Sequence, residues 1–276
     1  MRTSASLAPL LAAALLLAAS AGAALAGASP WSEATGAKLR LIAPGGPPAA
    51  DGTLSLGLEI ALEPGWKTYW RHPGEAGLPP EIDLTNSQNL ASAEIDFPTP
   101  RRFVDGGSTS VGYSGDVVLP IRLTPEDPAL PVMVDARVQY GACKELCVPA
   151  SGTARLMVSL ATRPDAETAT RFAAAEAAVP ATASGAFGIT AVEAEASDPR
   201  ALVVSATLPD PTAAADLFAE GPGPAFPGLP VRIEPATPPA AAQWRVTLDK
   251  HAPATGALRL TLVNGERAVE QVWDLH

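Results

Sequence analysis

Positive charge is in short supply. Nineteen lysines and arginines stand against 29 aspartates and glutamates, for a formal net charge of −10. A chain without a basic excess fits neither a nucleic-acid partner nor an anionic lipid surface. Histidine, methionine and cysteine are scarcer still, at three, three and two residues. His72, His251 and His276 show no metal-ligand spacing. No His, Met or Cys lies close in sequence to the two cysteines to complete a zinc or copper set, and only His72 is left to approach through the fold. No metal and no cofactor is expected as a resident group. Also missing are a Gly-rich phosphate loop, an HExxH pattern and a G-x-S-x-G elbow. After the first 26 residues no segment approaches the ~20 apolar residues of a membrane span, so the chain is expected not to span a membrane.

What is present begins with those first residues. Arg2 supplies a short positive region, Leu7 to Leu17 an apolar run, and Ala24-Leu25-Ala26 a small-x-small cleavage pattern. Residues 1–26 therefore read as a secretory signal peptide, and a bacterial periplasm is the expected compartment. The 29 prolines and 23 glycines would suit disorder, but 47% of residues are hydrophobic and many strictly alternate, which fits a folded chain with many turns.

That alternation is the main structural signal. Between Leu54 and Leu62 every second residue is leucine or isoleucine. Val132, Val134, Ala136, Val138 and Tyr140 share one face of another strand, and Ala154, Leu156, Val158 and Leu160 repeat the pattern. Half-buried strands of this kind predict an antiparallel sandwich. Composition shifts near Thr162, and residues 164–179 read as a short Ala-rich helix closed by Pro180. Alternation then resumes at Leu202-Val203-Val204, Val231 to Ile233, Trp244/Val246/Leu248 and Leu258/Leu260/Leu262. Asn264-Gly265 predicts a type I′ hairpin turn, because both residues tolerate positive φ. The expected organisation is a β domain over 30–162, a helical connector over 163–185 and a second β domain over 186–276.

The two cysteines stand in Tyr140-Gly141-Ala142-Cys143-Lys144-Glu145-Leu146-Cys147-Val148-Pro149. In an oxidising compartment they are expected to bond to each other. As a staple the bond is poorly placed. Closing a loop this short stabilises by roughly 2 kcal/mol in the chain-entropy model, against about 4.7 for a loop of about 100 residues. The flanking alternation predicts an accessible loop over 141–152, where an attacking thiol would reach the pair. Lys144 favours a thiolate there and Glu145 opposes it. Three chemistries stay open: thiol–disulfide exchange, a structural bond in a non-catalytic protein-binding module, and copper handling with the thiols as ligands.

Further motifs surround this pair in order: Gly65-Trp66-Lys67-Thr68-Tyr69-Trp70-Arg71, Pro73-Gly74, Gly77-Leu78-Pro79-Pro80, Phe97-Pro98, Pro100-Arg101, Gly112-Tyr113 and Val117-Val118-Leu119-Pro120. With Tyr140…Cys143…Cys147-Val148-Pro149, the stretch from about Leu39 to Leu160 resembles the N-terminal periplasmic domain of the thiol:disulfide interchange protein DsbD, in the version found in the copper-sensitivity suppressor ScsB. The resemblance implies an immunoglobulin-like sandwich, so the expected fold class is mainly β, with two immunoglobulin-like antiparallel sandwiches joined by the helical connector. It also implies a protein-disulfide reductase role. A membrane-embedded thiol electron donor would feed the pair, and periplasmic thioredoxin-like proteins would take the electrons. By position Cys143 and Cys147 match the exchanging pair, with Cys143 favoured as the sulfur bonded to partners. Tyr69 matches an aromatic segment near the site, Tyr140 precedes the first cysteine, and Phe103 matches a residue capping the disulfide. Arg71, Arg101 and Arg102 are expected in solvated salt bridges.

Overall fold

The computed structural model describes residues 25–105, 107–221, 227–233, 241–253 and 255–276. The signal-peptide reading falls almost wholly outside them. Leu25–Ala26 lies inside, as a short strand parallel to Thr162–Arg163.

Nearly every predicted alternation is a strand. One five-stranded sheet runs in the order 32–34, 37–42, 54–62, 117–125 and 90–95. The facing sheet runs 147–158, 132–143, 67–74, 108–114 and 101–105, with 81–83 also paired to 132–143. Leu39, Leu41, Leu56, Leu58, Leu119 and Ile121 point from the first sheet into a core closed by Val132, Val134, Ala136, Val138 and Tyr140 from the second. This is the immunoglobulin-like sandwich expected from the alternation and the resemblance. In the second half, strands 181–182, 267–275, 256–264 and 215–220 form one four-stranded sheet, and 188–195, 198–207, 241–247 and 231–233 form another. Val204, Trp244, Leu217 and Leu260 lie in the core between them. Apart from Leu25–Ala26 on Thr162–Arg163 and Ala181–Thr182 on Val269–Glu270, the strands pair antiparallel. Among the described residues no helix is long and apolar enough to cross a membrane.

The helix spans Ala166–Ala178, starting where Asp165 caps the Thr168 N–H at 2.7 Å. It is docked on the first sandwich. Phe172 and Ala175 pack against Ile42 and Val118. The strand Leu54–Leu62 is buried on both faces for this reason, and Gly57 leaves the room: a Cβ there would lie 3.2 Å from the Phe172 ring. Beside it the Glu59 side chain is wholly buried between Arg40, at 2.6 Å, and Arg171 of the helix, at 2.7 Å.

Two local expectations are corrected. Strand pairing holds Asn264 against Arg267, so the turn residues are Gly265-Glu266 and the positive φ falls on Gly265 at 61°. Arg71 and Arg102 are not in solvated pairs. Arg71 binds Glu220 through two hydrogen bonds of 2.8 Å and also Glu270, with its side chain 18% exposed. Arg102 binds Asp216 at 2.8 Å and the carbonyls of Leu217 and Pro230, each at 2.9 Å. Both arginines thereby tie the first sandwich to the second half. Arg101, one residue away, is exposed.

Candidate functional site around Cys143 and Cys147

The cysteines close a hairpin. Strand Val132–Cys143 runs into the turn and strand Cys147–Val158 leaves it, with Cys143 directly opposite Cys147. The loop is therefore only residues 144–146, shorter than the expected 141–152, because the ladder continues through Gly141↔Pro149 and Ala142↔Val148. A disulfide joins the two cysteines, whose Cα atoms lie 4.1 Å apart. On its other side Cys143 pairs with Lys67 of strand Lys67–Gly74. This central position buries Cys143 to 9% exposure, whereas Cys147 is exposed.

Tyr69 lies on the same strand as Lys67 and turns its hydroxyl to the sulfurs, 2.6 Å from Cys143 Sγ and 2.9 Å from Cys147 Sγ. Disulfide sulfurs carry no hydrogen, so the hydroxyl donates. Backbone holds the ring from both sides. A Cβ on Gly77 would stand 2.5 Å from one ring edge and a Cβ on Gly141 would stand 2.6 Å from the other, so neither position has room for a side chain. The Gly77 loop is itself pinned, because the Gly141 N–H donates to the Leu78 carbonyl at 3.1 Å. Thr68 ties the next peptide down by donating from Oγ1 to the Gly141 carbonyl at 2.9 Å. Gly112 completes the arrangement by letting two strands approach closely: a Cβ there would fall 2.0 Å from the Thr68 carbonyl oxygen.

Phe103 comes to the rim of this site through Lys67, whose ammonium sits 4.9 Å above the Phe103 ring. Its neighbour Gly106 lies outside the described residues. Lys144 folds back toward Gly65. Leu78 and Leu146 leave apolar surface exposed near the pair. Tyr140 goes elsewhere. It faces the core, is 2% exposed, and burial pushes its hydroxyl pKa up to about 12. Its alternation with Cys143 across the strand turns the two side chains apart. Tyr140 thus underlies the site as packing, and its hydroxyl has no hydrogen-bond partner among the described residues. Among the described residues no three His, Cys, Asp or Glu side chains are grouped to hold a metal ion. His72 is buried against Pro227, with Nε2 3.0 Å from that carbonyl.

A tyrosine hydroxyl bridging both sulfurs of an accessible cysteine pair is an arrangement suited to thiol chemistry. Comparison with protein families agrees: residues 43–159 match the family described as "Thiol:disulfide interchange protein DsbD, N-terminal". Together with the Cys143–Cys147 disulfide this match supports a thiol–disulfide exchange module. The fold matches the N-terminal periplasmic domain of ScsB from Proteus mirabilis with a TM-score of 0.69 at 24% identity, covering 90% of this chain and 98% of that one. The likeness therefore extends through the second half, beyond the DsbD-family segment. Comparison with curated proteins finds no match.

The glycine cradle around Tyr69 is what residue-by-residue reading missed. Gly77 and Gly141 both occur within the motifs that carry the resemblance. Their positions beside an aromatic motif and a cysteine were the available signal, but nothing local says that one ring lies between them.

Proposed function

We propose that this chain is a periplasmic protein-disulfide reductase of the DsbD type. It would pass reducing equivalents from a membrane-embedded thiol donor to periplasmic thioredoxin-like proteins through Cys143 and Cys147. On this reading residues 1–26 direct export, residues 30–162 form the exchange domain, residues 163–185 connect, and residues 186–276 form a second domain.

The observation that carries the proposal is the asymmetry of the pair under Tyr69. Cys147 is exposed, and Cys143 is buried with the shorter contact to the hydroxyl. A donor thiolate attacks Cys147 Sγ, the Cys143–Cys147 bond breaks, and Cys143 leaves as a thiolate that accepts the Tyr69 O–H. The donor's second thiolate then displaces Cys147 and carries away the donor disulfide. The two electrons now reside on the Cys143/Cys147 dithiol, and two protons come from solvent. Delivery reverses the order. The Cys147 thiolate attacks the acceptor disulfide, and Cys143 resolves the mixed disulfide. This assigns partner bonding to Cys147, where sequence alone favoured Cys143. Phe103 and Lys67 line the approach to the pair.

Two measurements test the reading. The reduction potential of the pair should lie above about −300 mV; a lower value marks a stable structural bond and removes the proposal. Cys143→Ser should accumulate mixed disulfides with periplasmic partners through Cys147, whereas Cys147→Ser should accumulate few. Tight copper binding by the reduced chain, lost in either variant and without mixed disulfides, would replace exchange with copper handling.

A further inference from the structure

The strand that carries Tyr69 is poorly held by its own sheet. Its ladder to strand Ser108–Ser114 pairs Lys67, Thr68 and Tyr69, stops, and resumes only at Gly74↔Ser110. Toward strand Val132–Cys143 it pairs only at Lys67 and Thr68. Neither of these two ladders includes residues 70–73, and Pro73 has no N–H to offer. The second half of the chain takes the place of the ladder. The Trp70 ring meets the Phe218 ring edge-on at 5.6 Å. Arg71 forms a two-pronged ion pair with Glu220 and a further bond to Glu270, and its guanidinium lies 4.6 Å over the Trp70 ring. His72 Nδ1 accepts the Gly74 N–H at 3.1 Å, which leaves Nε2 to donate to Pro227. Strand Arg101–Asp105, at the edge of the same sheet beyond Ser108–Ser114, repeats the arrangement, since Arg102 binds Asp216 immediately before Phe103.

We infer that Arg71, anchored by Glu220 and Glu270, is a positioning residue for the cysteine pair: the second half braces residues 70–73 and so keeps the Tyr69 hydroxyl on the two sulfurs. The inference rests on the exchange reading for its consequence but not for its geometry. Arginine suits the role, because its planar fork fixes direction as well as distance where a lysine would fix only a point charge. Both carboxylates are partly buried, at 18% and 26% side-chain exposure, which limits screening of the pairs. Glu270 is held in turn by the Thr261 hydroxyl at 3.2 Å, so the brace reaches into the second sandwich.

The test is a double-mutant cycle on the whole chain. The equilibrium measured is disulfide plus two glutathione thiols against dithiol plus glutathione disulfide, for wild type, Arg71→Ala, Tyr69→Phe and the double variant. Arg71→Ala and Tyr69→Phe should each shift it about tenfold toward the oxidised chain, which is roughly 30 mV for two electrons. The double variant should match Tyr69→Phe alone, because Arg71 acts through that hydroxyl. Additive shifts, a folded Arg71→Ala within about twofold of wild type, or an inert Tyr69→Phe would each overturn the inference. Glu220→Gln supplies a milder break of the same contact should Arg71→Ala not fold. Arg245→Ala removes an ion pair within the second half, to Glu195 at 2.6 Å, and should leave the equilibrium unchanged. Amide hydrogen exchange separates the two claims. If the wild-type pair does not exchange at all but Arg71→Ala still speeds exchange at Thr68 and Tyr69, the brace stands and the reductase reading falls. If protection there is unchanged, the brace falls whatever the pair does.

Discussion

A methyl group at position 141 would enter space already taken by the Tyr69 ring. The Cβ of Gly141→Ala would stand 2.6 and 2.7 Å from two ring carbons and 3.1 Å from Leu78 Cβ, where ordinary contact begins at 3.4 Å. The ring has no free direction of retreat, because the Gly77 backbone closes its other edge. Relief requires a shift of about 1 Å in the ring or in the hairpin, and overpacking of that kind costs about 1–3 kcal/mol. For a chain of this size that lowers the melting temperature by roughly 2–12 °C. The chemical effect is separate. A hydroxyl moved by that distance loses its bond to the Cys143 thiolate, and a hydrogen bond to a charged group contributes about 1.5–3 kcal/mol. The thiolate should therefore become harder to form, with the thiol pKa raised. Titration of thiolate absorbance in the reduced protein reads this shift, and thermal melts of the oxidised protein read the clash. Gly185→Ala, at a position with nothing within 4 Å, is the neutral control. In a Tyr69→Ala background the stability cost of Gly141→Ala should nearly vanish, since the clashing ring is gone. An unchanged thiol pKa in Gly141→Ala, or a cost that persists without the ring, would refute the cradle.

Reduction of the disulfide should leave the protein folded, because the short loop contributes only roughly 2 kcal/mol; unfolding on addition of reductant would favour a structural bond. Glu59→Ala should destabilise by about 2–3 kcal/mol in urea, because it takes the buried carboxylate from Arg40 and Arg171 and leaves a gap, although Arg171 keeps Glu167 at 2.8 Å; a loss under about 1 kcal/mol would show that the two cations find water. Burial holds the His72 pKa below its ordinary 6.5. The unfolded chain therefore takes up this proton first, so the contribution of His72 is complete above about pH 6.5 and is lost as pH falls through the depressed folded pKa. Urea midpoints compared at about pH 7.5 and 5.5 should show a decline that His72→Gln reduces; an equal decline in the variant would assign it elsewhere.

Local pattern carried the secondary structure well. Alternation located the strands 54–62, 132–143 and 256–264, and Ala-rich composition with a following proline located the helix 166–178. Turn registers were less legible, because a hairpin's register depends on its pairing as well as on its turn residues. Hence the turn fell one residue later, at Gly265-Glu266, and the cysteine loop shrank to three residues. Cys143 and Cys147 were evident as a pair and Tyr69 as a neighbour through the resemblance. The arginines were misread because solvation depends on what the rest of the chain lays over a side chain.

By itself the sequence determined the strands, the bonded pair and the resemblance of the first sandwich to the DsbD N-terminal domain, all of which follow from periodicity, spacing and short motifs. Tertiary structure decided what the pair touches. Tyr69 and Cys143 are 74 residues apart, Arg71 and Glu220 are 149, and Arg71 and Glu270 are 199. Such contacts depend on sheet register and on the packing of the two halves, quantities that no short window of residues contains. The exposure of Cys147, the burial of Cys143 and the diversion of Tyr140 into the core are consequences of the same packing.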